Sequence, residues 1–211
     1  MPEASPRRRI GLYGGSFDPV HNAHLALARL AQRELSLDEL RWLPAGQPWQ
    51  KPRTLTAAGH RVAMLELALA ATPGSVVDGR ELLRSGPSYT LDTVRELQDC
   101  ADAAQAIRDD WFLVIGRDQH QQFHTWYGFE ELLQRVTLAV AQRPGAALAV
   151  DARVTQAAHV VLPLEPMDVS STDIRQRVQA GRPIAHLVPL AVARYIESHH
   201  LYQPAAGQPR S

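Results

Sequence analysis

Short runs of large apolar and β-branched residues alternate with helical runs along most of the chain, and this alternation constrains the fold more than any other feature. Strands are expected at residues 10–13, 40–43, 75–78, 112–115, 137–141 and 160–162. Helices are expected at residues 23–35, 57–71, 90–100, 172–180 and 189–199. The first helix is apolar on most faces through Leu25, Leu27, Leu30 and Leu35, which predicts that it is largely buried. Thr56 is placed to cap the second helix and Pro189 to occupy the first turn of the last. Strand and helix in alternation imply an α/β fold. Its sheet is parallel and doubly wound, with helices on both faces and a helical segment at the C-terminal end.

The 211 residues fit a single domain at residues 10–203, between a flexible N-terminal tail at 1–9 and a disordered polar tail at 204–211. Hydrophobic residues make up 45% of the chain, enough for a substantial core. Twenty-two Lys and Arg balance 22 Asp and Glu, so the chain lacks the basic excess expected of a protein that neutralises duplex phosphates. No nucleic-acid partner is expected. No apolar window is long enough to span a bilayer, and the start, MPEASPRRRIGLYGG, lacks the apolar stretch of a secretory signal. Cys100 is the only cysteine, which excludes an intrachain disulfide and fits a cytoplasmic setting.

In doubly wound sheets ligands bind beyond the carboxyl ends of the strands, so the residues that follow each strand carry the chemistry. After Tyr13 comes GGSFDPVHNAH. Gly14 and Gly15 permit a tight turn and let a ligand approach bare backbone. Ser16 and Phe17 continue the loop, and the next helix start offers N–H groups and a positive dipole end to an anion. His21 and His24 stand three residues apart at that start, so both can face one bound group. Each feature alone fits a capped helix with incidental histidines; the combination points to a phosphate site. It lacks the three spaced glycines of the dinucleotide fingerprint and the lysine of the P-loop.

The stretch GGSFDPVHNAH resembles the signature of nucleotidyltransferases that carry an H-x-G-H motif, in particular the bacterial nicotinate-nucleotide adenylyltransferases, whose fold is Rossmann-like. Ala23 stands where that pattern has glycine. A second stretch, Val169-Ser170-Ser171-Thr172-Asp173-Ile174-Arg175, places hydroxyls at a helix start with an arginine in the first turn, a suitable cradle for polyphosphate. Alone it reads as an ordinary cap. Its similarity to the family's I-S-S-T-x-I-R motif implies that Ser171, Thr172 and Arg175 hold the β and γ phosphates of ATP opposite the two histidines. The implied ATP-binding set is Gly14, Gly15, Ser16, Phe17, His21, His24, Ser171, Thr172 and Arg175.

Three further segments resemble the pyridine-nucleotide branch. Tyr89 and Thr90, in Pro87-Ser88-Tyr89-Thr90, precede a helix whose N–H groups suit a carboxylate, with Thr90 as its cap. Trp126 and Tyr127 supply aromatic faces, and an indole stacks well on an electron-poor pyridinium; simple core packing is the competing reading. Asp118, after Ile115-Gly116-Arg117, is either an N-cap or a partner for a ribose hydroxyl. Lys51, in the loop QPWQKPR, keeps the basic position of the family's P-P-H-K segment, while Trp49 and Gln50 depart from it. No role is assigned to residues 144–159.

The resemblance implies adenylyl transfer from ATP to nicotinate mononucleotide, giving deamido-NAD and pyrophosphate, with His21, His24 and Arg175 as the catalytic groups. Magnesium would be bound through the ATP phosphates, and no protein-held metal is expected. His120 and His124 lack the glutamate of the zinc-protease helix motif, and His199 and His200 are expected in solvent. The alternatives are a nicotinamide-mononucleotide or phosphopantetheine adenylyltransferase, or a non-catalytic nucleotide-binding relative.

Overall fold

The computed structural model describes residues 7–46, 55–103, 109–142, 150–165 and 167–203. Lys51 lies outside these residues, as do the tail at 204–211 and most of the N-terminal tail. Among the described residues the strands are β1 (Arg9–Gly15), β2 (Glu39–Pro44), β3 (Ser75–Val77), β4 (Asp110–Gly116), β5 (Thr137–Gln142) and β6 (His159–Pro163). They form one sheet in the order β3-β2-β1-β4-β5-β6, and every neighbouring pair is parallel. The helices are α1 (Asn22–Glu34), α2 (Ala58–Leu69), α3 (Thr90–Ala103), α4 (Arg117–Gln121), α5 (Phe129–Arg135), α6 (Ala152–Gln156), α7 (Ser171–Gln179) and α8 (Leu190–Ser198).

Successive side chains of a strand point to opposite faces, and the central strands bury both sets. On one face Tyr13, Leu40, Trp42, Phe112, Val114, Ala139 and Ala141 pack with α1, α2, α7 and α8. On the other, Ile10, Leu12, Leu43, Leu113, Ile115, Leu138 and Val140 pack with α3, α5 and α6. The sheet is therefore doubly wound, with helices on both sides. Leu25, Leu27, Ala28, Leu30 and Ala31 of α1 are buried, as the sequence of that helix predicts.

Several local expectations give way to different caps. Thr56 does not cap α2; Ala57 holds that position without a side-chain bond, and the backbone of Thr56 is engaged elsewhere. Thr90 is the first helical residue of α3 and not its cap. Pro189 lies one position earlier than expected, as the N-cap of α8. Neither Gly14 nor Gly15 supplies a left-handed turn, for both end strand β1. The left-handed residue of that loop is Phe17, at φ 46°.

The strand order reverses between β1 and β4. Their pairing runs from Arg9↔Asp110 to Leu12↔Leu113 and stops, while β1 continues to Gly15 and β4 to Gly116. The carboxyl ends of the two strands thus part. This is the topological switch point, where a crevice opens in folds of this kind.

Candidate active site

A pocket occupies that crevice. Gly14, Gly15 and Ser16 line it from β1, Leu113, Val114 and Ile115 from β4, and Ser88, Tyr89 and Thr90 from the start of α3. Trp126 and Tyr127 complete an aromatic wall, with the rings of Tyr89 and Tyr127 4.6 Å apart. A Cβ built on Gly14 would meet nothing within 4 Å, so this backbone faces open space. The Trp126 ring also lies 4.9 Å from that of buried Phe123. Core packing thus fixes one part of the indole while another part lines the pocket.

Asp118 is not part of this lining. Helix α4 follows β4 directly, so Asp118 is its second residue and is exposed; Gln119 reaches the pocket instead, its Oε1 accepting the Gly116 N–H at 2.9 Å. Glu81, absent from the expected set, also lines the pocket and is buried. Its Oε1 accepts the hydroxyl of fully buried Thr93 at 2.8 Å, and its carbonyl accepts the Ser88 hydroxyl at 3.3 Å. Burial raises the Glu81 carboxyl above the usual carboxylate range despite the Thr93 bond. Its place only a few residues before Pro87 was the one available signal in the sequence.

Beyond the pocket, the chain passes from Ser16 through Phe17 to His21 and His24. The two imidazoles stack, with centroids 3.6 Å apart. The His21 N–H donates to Nδ1 of His24 at 3.2 Å. An accepting Nδ1 places the proton of neutral His24 on Nε2, the geometry of a donor. His21 is 6% exposed, and burial lowers its pKa from the ordinary 6.5 to about 4, so it is neutral at pH 7. The Phe17 ring stands 5.2 Å from His24, edge to face, and supports its orientation.

The two distant motifs meet here. The Ser171 hydroxyl donates to the carbonyl of Pro19 at 2.9 Å. Arg175 donates through Nη1 to the carbonyl of Asp18 at 2.7 Å and through Nη2 to Thr172 Oγ1 at 3.1 Å. Ser170 caps α7, its hydroxyl accepting from the Asp173 N–H at 3.0 Å. The hydroxyl-bearing helix start is therefore docked on the histidine loop, although sequence separates them by about 150 residues. Ala23 lies in the first turn of α1, beside Asn22, whose N–H and amide donate to the carbonyls of Leu187 and His186.

Among the described residues no group of three or more His, Cys, Asp or Glu is placed to hold a metal ion, and no helix is long and apolar enough to cross a membrane. His120 is buried, whereas His199 and His200 are exposed.

The chain matches the cytidylyltransferase-like family over residues 12–177. It is 50% identical over 210 residues to the probable nicotinate-nucleotide adenylyltransferase of Methylibium petroleiphilum, covering 97% of each chain. Over 202 residues it is 46% identical to the protein of the same name in Albidiferax ferrireducens, covering 94% of this chain and all of that one. Its fold is similar to that of Plasmodium falciparum nicotinic acid mononucleotide adenylyltransferase complexed with NaAD, with a TM-score of 0.74 at 18% identity. That alignment covers 93% of this chain and 98% of the other. The matches at high identity run nearly end to end, and on them the chain belongs to the nicotinate-nucleotide adenylyltransferases of the cytidylyltransferase-like family.

Proposed function

We propose that the protein transfers the adenylyl group of ATP to nicotinate mononucleotide, releasing pyrophosphate and giving deamido-NAD, a cytoplasmic step of NAD biosynthesis. The observation that carries this reading is the docking of the Ser171 and Arg175 helix start on the 16–19 loop, next to an aromatic pocket at the switch point. Helix N-termini, hydroxyls and a guanidinium suit a triphosphate. The pocket that contains Tyr89, Thr90, Trp126 and Tyr127 suits a flat, electron-poor ring with an acidic substituent. Lys51 is proposed to add a positive charge to that side.

The mononucleotide phosphate attacks the α-phosphorus of ATP in line and displaces pyrophosphate. The nucleophile is already an anion, so no general base is required. Rate enhancement comes from alignment and from neutralising charge on the transferring group. His24 donates from Nε2 to an oxygen of the α-phosphate, with neutral His21 stacked against it. Arg175, Ser171 and Thr172 hold the departing pyrophosphate.

The donors around the loop are imidazoles, hydroxyls and a guanidinium, which take phosphate oxygens, and the carboxylate of Asp18 is already committed to protein donors. This set fits magnesium carried on the ATP phosphates, where it would neutralise charge while keeping its own waters. The His24→Ala variant tests the reading. A fold unchanged by circular dichroism with turnover reduced at least about a hundredfold supports it. A folded variant retaining near-parental turnover refutes it.

A further inference from the structure

Asp18 is 0% exposed, although it sits in the loop that joins β1 to the two histidines. Three separate segments converge on it. Its Oδ1 accepts the hydroxyl of Tyr202 at 2.7 Å, across 184 residues of sequence. Its Oδ2 accepts the Thr56 N–H at 3.3 Å, and its carbonyl accepts Arg175. Arg61, also buried, closes the circuit by donating to the carbonyls of Thr56 and Ser16, both at 3.0 Å.

The backbone is strained on both sides of the Tyr202–Asp18 bond. Tyr202 has φ 63° and Phe17, next to Asp18, has φ 46°. Left-handed conformations are costly for aromatic residues, and they persist where surrounding contacts over-determine them. Burial and the Asp18 charge hold the Tyr202 hydroxyl well above the ordinary tyrosine range, so it stays protonated and remains a donor.

We propose that Tyr202, acting through Asp18, is a positioning residue that latches the 16–19 loop against the start of α7 and so sets the triphosphate side of the site. The latch rests on the adenylyl-transfer reading above for its kinetic consequence, though not for its geometry. The pocket that contains Trp126 and Tyr89 is lined by none of Tyr202, Asp18 and Arg175, and of the 16–19 loop only Ser16, the residue farthest in sequence from the histidines, reaches it. Loss of the latch should therefore act on ATP and spare the mononucleotide.

The test is Tyr202→Phe, which removes one oxygen and keeps the ring, with Asp18→Asn as the second variant. Both are assayed at a temperature where circular dichroism shows them folded. The latch predicts that KM for ATP rises or kcat falls, lowering kcat/KM for ATP about tenfold or more, because small misplacements of reacting groups are costly. KM for nicotinate mononucleotide stays within about twofold of the parent. Equal rises in both KM values, or a loss that follows the fraction folded, would assign the bond to general stability and overturn the proposal. Absence of turnover in the parent would instead overturn the adenylyl-transfer reading. Calorimetry of ATP binding, which needs no acceptor, then decides the latch: unchanged affinity in both variants overturns it, and about tenfold weaker binding supports it.

Discussion

His21 offers a measurable link between the site and the stability of the chain. Its pKa falls from 6.5 to about 4 through burial, and its Nδ1 is enclosed without a hydrogen-bond partner. A depressed histidine pKa means that the unfolded chain binds a proton which the folded chain refuses. Stability is therefore fully present above pH 6.5 and declines as pH falls toward 4. At about 1.4 kcal/mol per pH unit, the interval is worth about 3 kcal/mol, of which about 2 kcal/mol is lost between pH 7 and pH 5. For a chain of this size that loss corresponds to a fall in Tm of about 4–8 °C. Other groups also titrate in this range, so the quantity to measure is the parent minus His21→Gln, by urea unfolding at several pH values. The difference should change by about 2 kcal/mol between pH 7 and pH 5, with the parent losing more. A constant difference, or a His21 resonance titrating near 6.5 by NMR, would show that burial does not depress the His21 pKa.

Three further outcomes follow from the site. Arg175→Lys keeps the charge but cannot span Asp18 and Thr172 together, so kcat/KM for ATP should fall about 10²–10³-fold while Tm moves by only about 2–4 °C. Parallel losses of rate and Tm would contradict a direct role. Trp126→Leu should raise KM for the mononucleotide about two- to tenfold, read from steady-state kinetics with ATP saturating; an unchanged KM would show that the indole serves packing alone. Glu81→Gln removes a buried carboxyl whose raised pKa makes the folded chain less stable as pH rises through that pKa. The variant should therefore gain on its parent between pH 4 and pH 8 in denaturant midpoints, and a pH-independent difference would refute the assignment.

The central strands and long helices were legible because both faces of β1, β4 and β5 are filled by apolar side chains, and α1 carries an apolar surface along its length. Helices α4, α5 and α6 leave no periodic trace in the sequence. At 5, 7 and 5 residues, they are too short for a helical period to register. The glycine-and-histidine loop stands out by its residues and the 169–175 stretch only by its family resemblance, whereas their contact across about 150 residues is visible in the fold alone. The sequence does not show that α4 starts without an intervening loop, which puts Asp118 in its exposed first turn and turns Gln119 toward the pocket. The Tyr202–Asp18 bond had no sequence signal, since a tyrosine near the end of the chain gives no sign of its distant partner.

Adenylyl transfer to a pyridine mononucleotide acid is directly measurable. Pyrophosphate release from ATP and magnesium should be measured with nicotinate mononucleotide, nicotinamide mononucleotide and phosphopantetheine in separate reactions. Release is expected with the acid, together with formation of deamido-NAD, and weaker or no release with the other two. Release with phosphopantetheine alone, or ATP binding without release for any acceptor, would contradict adenylyl transfer to the acid.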